Sequence, residues 1–219
     1  MTAAWCCTCR ANSFERTSVV KSLKLAAVAA VLYTTASATA ALAADPDLPT
    51  PPPADWMKQA NLYGPVVQSG DDAKVMAWER ANQTALSSGY LFDLSRRLLA
   101  ADPDQAMEWY VVAMVRGRYD SGRCLDDTAN RAVSRLSADA GEVLRYGQTH
   151  RPAFAAAGLR ALARPDLLAH TIHPDWVCAQ GLSGMGGRSI GTTPPATWPA
   201  VEKRLRQEYQ AQFEAMAKP

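Results

Sequence analysis

Between residues 54 and 219 the apolar positions recur every three or four residues, and no stretch keeps the two-residue alternation of a half-buried strand. An all-α fold is expected. A short helix over 54–62, carrying Trp56 and Met57, should stop at Gly64-Pro65. From 71 to 88, Val75, Trp78, Ala81 and Ala85 share one face, with Gly89 as the stop. Over 90–101, Leu91, Leu94, Leu98 and Leu99 form the stripe, with Arg96 and Arg97 outward.

The clearest helix start is Asp102-Pro103-Asp104: a capping side chain, a proline shaped for the first helical position, and an acid at the positive end of the dipole. That helix should run to Arg116, burying Ala106, Trp109 or Tyr110, Ala113 and Met114, and stop at Gly117. A helix over 121–136 would align Leu125, Ala129, Ala132, Val133 and Leu136. Two shorter helices fit 139–149 and 152–164, with another turn or two at 165–170. Residues 171–198 break the pattern with five glycines and three prolines. A loop this long inside a compact domain is functional, disordered or stapled. A last helix over 199–217 carries Val201, Leu205, Tyr209, Phe213 and Met216 on one stripe. The expected architecture is a compact bundle or short helical-hairpin array with one long Gly/Pro-rich loop.

Upstream, Lys21 and Lys24 precede a run without charge until Asp45, and Ala41-Leu42-Ala43 supplies a small-residue cleavage signal. Residues 1–43 are therefore expected to be an N-terminal extension and signal peptide, with translation starting near Val19 or Val20. Residues 44–53 form a proline-rich arm and 54–219 a single helical domain, periplasmic or secreted and not membrane-bound once the signal is cleaved. Of 23 Lys+Arg and 21 Asp+Glu, four and one precede Ala44, leaving 19 against 20. Near neutrality gives no clustered positive surface, so no nucleic-acid partner is expected. Of five cysteines, Cys6, Cys7 and Cys9 lie ahead of the signal. Cys124 and Cys178 remain, and outside the cytoplasm such a pair is most simply one disulfide. Closing a loop of about 55 residues would contribute on the order of 4 kcal/mol.

Asp102, Ala106, Trp109, Tyr110, Ala113 and Gly117 stand as D-x3-A-x2-WY-x2-A-x3-G. This segment resembles the second half of a Sel1-like repeat, a relative of the tetratricopeptide helical hairpin. The resemblance covers residues 102–117 and does not recur, and the glycine that family places between its paired helices is absent from 94–99. It implies binding rather than catalysis, on a scaffold for other proteins. Trp109 and Tyr110 join Arg116, Arg118 and Arg123 as candidate binding residues. The three arginines could clamp a carboxylate or phosphate, or pair with Asp120, Asp126 and Asp127 in a solvated network.

The densest set of metal donors is His170, His173, Asp175 and Cys178, with Asp166 upstream, which could suit zinc or copper. The spacing matches no standard zinc pattern, and Pro174 breaks any helix that would align the two rings. No metal and no cofactor are expected, with His170, His173 and Asp175 the candidates were one bound. Residues 181–187 fail as a nucleophile elbow, since G-x-S-x-G needs glycine where Met185 stands. They fail as a phosphate loop because no strand leads in and no GK[ST] follows. Glu79, Glu108 and Glu142 are single helix carboxylates, and the adjacent Asp126 and Asp127 point about 100° apart on a helix.

The expected function is that of an exported, non-catalytic helical domain binding another exported or envelope protein, as adaptor or inhibitor. One alternative is an envelope-acting hydrolase or lyase using a single carboxylate, with Glu79, Glu108 or His150 in a cleft. The other is a small-molecule or metal carrier built on the 170–178 loop.

Overall fold

Three helix starts are set by acids that the sequence places just ahead of them. Asp55, Asp71 and Asp102 each accept from the backbone N–H three residues on, at 3.0 Å, and so satisfy donors that the first turn leaves unpaired. The computed structural model describes residues 48–49, 55–188 and 190–218. The proposed leader at 1–43 lies outside them, as does the 44–53 arm apart from Leu48 and Pro49. The helices are α1 (Trp56–Gln68), α2 (Asp72–Ala81), α3 (Ser88–Leu98), α4 (Pro103–Ser121), α5 (Asn130–Asp139), α6 (Gly141–Thr149), α7 (Arg151–Ala163), α8 (Asp175–Cys178), α9 (Leu182–Met185) and α10 (Trp198–Met216). Among the described residues there is no strand, only an isolated bridge between Cys124 and Thr192, and the protein is all-α. No helix among them is long and apolar enough to cross a membrane.

Helix α4 is the axis. It packs on α3, α5, α6, α7, α8 and α10, and Met107, Val112, Ala113 and Val115 are shut off from solvent along it. A second, smaller apolar cluster joins Val66, Val75, Leu86 and Tyr90, with Leu48, Tyr63 and Trp78 against it. Trp78 donates from its indole to the Pro49 carbonyl at 2.9 Å, so Pro49 lies against α2.

Several boundaries differ from those the sequence predicts, each for a packing reason. Helix α1 continues through Gly64-Pro65, because Val66 beyond them is buried in the smaller cluster. Helix α2 ends at Ala81 rather than Ser88, where the Asn82 side chain turns back to the Trp78 carbonyl at 2.8 Å. Helix α4 runs past Gly117, whose missing side chain is a contact: a Cβ there would lie 2.8 Å from Val133 Cγ1 on α5. No helix spans 121–136. A turn and a 3-10 segment (Asp127–Ala129) intervene, and Leu125 is 69% exposed instead of joining the stripe. The 171–198 segment is also less irregular than its composition suggests, since α8, α9 and a 3-10 turn (Pro195–Thr197) lie within it.

Arg97 is the clearest reversal. Expected to face outward, it is buried against the end of α1, where helix carbonyls lack partners. Its guanidinium donates to the Val66 and Val67 carbonyls at 3.0 Å and to that of Ser69 at 3.1 Å. Asp93 Oδ2 at 2.7 Å and Asp72 complete the set. Glu79 sits beside this cluster with no accessible surface, and neither carboxyl oxygen meets a hydrogen-bond donor at bonding geometry. Burial, then the neighbouring Asp93 carboxylate, push it up to about 9.

Glu79 therefore keeps its proton in the folded state where an unfolded carboxyl, near 4.5, has lost it. Its contribution to stability is complete below the unfolded value and declines as pH rises toward the folded one, by at most about 1.4 kcal/mol per pH unit. Glu79→Gln should remove this slope. In thermal melts between pH 5 and 8.5, the variant should gain on the native protein steadily as pH rises. A constant difference across that range would show that Glu79 is ionised in the fold.

Candidate functional site

The site begins with a buried carboxylate at the end of α4. Asp120 is 1% exposed, and its two oxygens collect donors from three places in the chain. Arg123 and His170 Nε2 (2.6 Å) meet Oδ1, and the Trp176 indole N–H meets Oδ2 at 2.7 Å. Burial alone would raise this carboxyl, but His170 and Arg123 outweigh it and hold the group below the ordinary range. Arg123 is itself sandwiched between the rings of Tyr119 and Trp198, 4.3 and 4.6 Å from their centroids. The solvated network foreseen for these charges is a dry one.

One turn further on, Cys124 and Cys178 are joined, with sulfurs 2.08 Å and Cα atoms 5.4 Å apart. Asp126 then takes over. It accepts from the Ser183 N–H at 2.7 Å and from the Thr128 N–H at 3.0 Å, and with the Thr128 hydroxyl these donors hold its carboxyl down to about 2. This approach requires Gly181, where a Cβ would sit 2.6 Å from Asp126 Oδ2. Backbone bonds from Leu125 to Gly191 (2.9 Å) and from Thr193 to Arg123 (2.8 Å) hold the far end of the segment. The glycine-rich stretch is thus tied down by polar contacts along 120–126. Trp176 and Val177 anchor it from buried positions, whereas Leu182 is exposed.

Fixing this segment completes a cavity. Between α1, the start of α3, α5 and α8 lies a pocket of about 230 Å³. Trp56 and Tyr63 of α1, Tyr90 of α3 and Trp176 of α8 provide aromatic walls, with Ala132, Leu136 and Ile172 between them. Tyr63 meets Tyr90 edge-on at 5.2 Å, and the Tyr90 hydroxyl donates to the Gln59 carbonyl at 2.6 Å. The Gln59 amide in turn donates to the Ala85 carbonyl at 2.5 Å and accepts from the Ser87 N–H at 3.3 Å, fastening α1 to the loop before α3. Ala60 and Arg135, both exposed, stand where the pocket meets solvent, with Ser87 and Gln180 adding polar atoms. Burial, followed by the nearby Asp139 and Asp93 charges, raises the Tyr63 phenol above its ordinary range, so its ring is a neutral wall.

The residues singled out in the sequence scatter. Arg116 is 1% exposed and donates to the Leu167, Gln83 and Asp166 carbonyls at 2.6, 2.6 and 2.9 Å. Arg118 reaches Ser134 Oγ at 3.0 Å, and Arg123 is committed to Asp120, so the three do not form one clamp. Trp109 lies under Arg164, and Tyr110 meets Phe92 and Phe154; both are buried in the core. His170 points inward to Asp120, while His173 is exposed and pairs with Asp175 at 3.1 Å. Among the described residues no three His, Cys, Asp or Glu gather as metal donors. Glu108 is bridged to Arg160 and Arg164, Glu142 to Arg145, and His150 stacks on Tyr146 at 4.0 Å; none of them lines the pocket. The chain matches no protein-family model, no curated protein and no solved structure.

Two outcomes test this construction. Asp120→Asn leaves Arg123 buried without its counter-charge and should lower stability by about 3–5 kcal/mol. It should also shift Trp176 emission to longer wavelength, and unchanged melting would show that Asp120 anchors nothing. Cys178→Ser should lower stability by about 2–5 kcal/mol and make 171–198 the first segment cut by a protease, with helical circular dichroism retained below melting. First cleavage elsewhere would mean that the polar ties hold the segment without the bridge.

Proposed function

We propose that this chain is an exported, non-catalytic binding domain whose aromatic pocket seats an apolar side chain of another exported or envelope protein. The observation that carries this reading is the pocket: about 230 Å³, walled by Trp56, Tyr63, Tyr90 and Trp176 and entered beside Ala60 and Arg135. An apolar cavity of roughly 150 Å³ holds benzene, so the space suits one ring or one branched side chain. Seating such a group contributes about 1.5–3 kcal/mol, well short of a stable complex, and the remainder would come from surface around the mouth, as a protein partner supplies. Export is supported by the basic start at Lys21 and Lys24, the uncharged run to Asp45 and Ala41-Leu42-Ala43. The bridged cysteines suit an oxidising periplasmic or extracellular location. The antiparallel pair α3 and α4 is the unit that would correspond to a Sel1-like hairpin.

A second reading, a carrier of a small apolar molecule, draws on Ile172, Trp176 and Gln180, which bring the 170–180 segment into the wall of a cavity of single-ring size.

Ala60→Trp would fill the entrance from an exposed position and leave the core untouched. Native protein incubated with envelope extracts should retain a partner that the variant loses, with both melting at the same temperature. Equal capture by both proteins would overturn the pocket as the binding site. A small apolar molecule extracted from native protein alone would favour the carrier.

A further inference from the structure

We infer that the pocket's occupant is the C-terminal residue of the partner chain, its large apolar side chain between the aromatic walls and its terminal carboxylate on Arg135. This rests on the binding reading above and specifies what is bound.

Size and charge act together. The cavity takes one side chain, and its lining is almost wholly apolar. The exception that carries charge is Arg135, exposed at the mouth on α5. Eight other arginines (Arg96, Arg97, Arg123, Arg145, Arg160, Arg164, Arg204 and Arg206) are joined to carboxylates. Arg135 has no ion pair and no side-chain hydrogen bond among the described residues, and Asp139, one turn along the same helix, is not within pairing distance. A guanidinium presents a planar fork of donors matched to a carboxylate, and here that fork is open at the rim of an apolar space. The Gln180 amide and the Ser87 hydroxyl lie at the same pocket.

An apolar side chain and a carboxylate on the same Cα occur in a protein at one place, the C-terminal residue. An internal Asp or Glu carries its acid at the tip of its own side chain and has no apolar group to fill the cavity. Capture of a terminal carboxylate beside a side-chain pocket is a general mode of peptide recognition. The acids near the pocket do not neutralise Arg135: Asp93 is held by Arg96 and Arg97, and Asp139 is exposed to water. Both nevertheless place negative charge near Tyr63, so a cationic ligand is the competitor to be tested.

The probes are N-acetyl-Gly-Gly-Phe as free acid, the same peptide as C-terminal amide, 3-phenylpropionate and phenethylamine. They are titrated into the oxidised protein while the indole N–H resonances of Trp56 and Trp176 are followed by NMR. The free-acid peptide should shift both signals and bind about tenfold more tightly than the amide, the difference one charge-assisted contact makes. Arg135→Gln should bring the acid to the level of the amide and leave the amide unchanged. Equal binding of acid and amide at these signals would overturn the carboxylate while leaving an apolar pocket in place. Tighter binding of phenethylamine would overturn it in favour of a cation. 3-Phenylpropionate matching the peptide acid would replace the chain terminus by a small free acid. If no probe moves either signal the inference falls, and loss of the partner in Ala60→Trp still decides the broader reading separately.

Discussion

Asp120 is buried with its charge satisfied, by donors that tie the end of α4 to the segment beginning at His170. Taking a carboxylate out of water costs several kcal/mol even after the protein relaxes, and an unpaired charge left behind is worse. At Asp120 the cost is offset by donors from three positions, Arg123 on the same turn and His170 and Trp176 from some 50 residues later. Apolar side chains alone would let 170–178 settle against α4 in several ways with similar energy, because hydrophobic packing is non-directional. Hydrogen bonds to a buried charge are directional, and moving α8 by a few ångströms would leave Asp120 Oδ2 without the Trp176 indole donor. The disulfide, one helical turn beyond Asp120 and two residues beyond Trp176, fixes the same contact a second time.

A second charged cluster does the corresponding work on the other side of the pocket. Arg97 gathers three carbonyls from the end of α1 and two carboxylates, so α1 cannot slide along α3 without unpairing a buried guanidinium. Such clusters are weak evidence for stability as such, since apolar residues of similar volume often serve as well. What they supply here is position. Trp56 and Tyr63 ride on α1 and Trp176 on α8, and each of those helices is held by its own buried ion cluster.

The helical architecture was legible because it depends on local pattern: the apolar spacing, the capping acids and the Asp102-Pro103 start are all readable within a few residues. The disulfide was legible because only two cysteines lie beyond residue 43. Helix ends were less so, since Pro65 and Gly117 are stops by local rule and are overridden by tertiary contacts, Val66 in one case and Val133 in the other. The pocket was hardly legible at all. Trp56 stood out only as an apolar residue of a short helix, and Tyr63, Arg135 and Trp176 carry no signal within their own helices. Their role arises where α1 meets α5 and α8. Asp120 was read as one of several surface acids because its depth depends on His170 and Trp176 arriving from far along the chain. Arg97 misled for a similar reason: its position off the apolar stripe argues for solvent, and only the unpaired carbonyls of α1 draw it inward.

These anchors also bear on how the pocket would bind. An apolar cavity in a well-packed protein tends to shrink, because lining atoms without partners forfeit dispersion contacts. Here the walls draw on both apolar clusters, Tyr63 and Tyr90 on the smaller one and Trp56 and Trp176 on the main one. Closing the gap would require moving α1 away from Arg97, which strips three carbonyl acceptors from a buried guanidinium, or α8 away from Asp120, which takes the Trp176 donor from a buried carboxylate. The cavity therefore stays open in the unbound protein because polar interactions hold its walls apart. A ligand entering it would not have to order those walls, and the entropy that ordering costs in a flexible site is already accounted for in folding. The shape of the pocket is thus set from outside it, by Asp120 and Arg97, neither of which lines it.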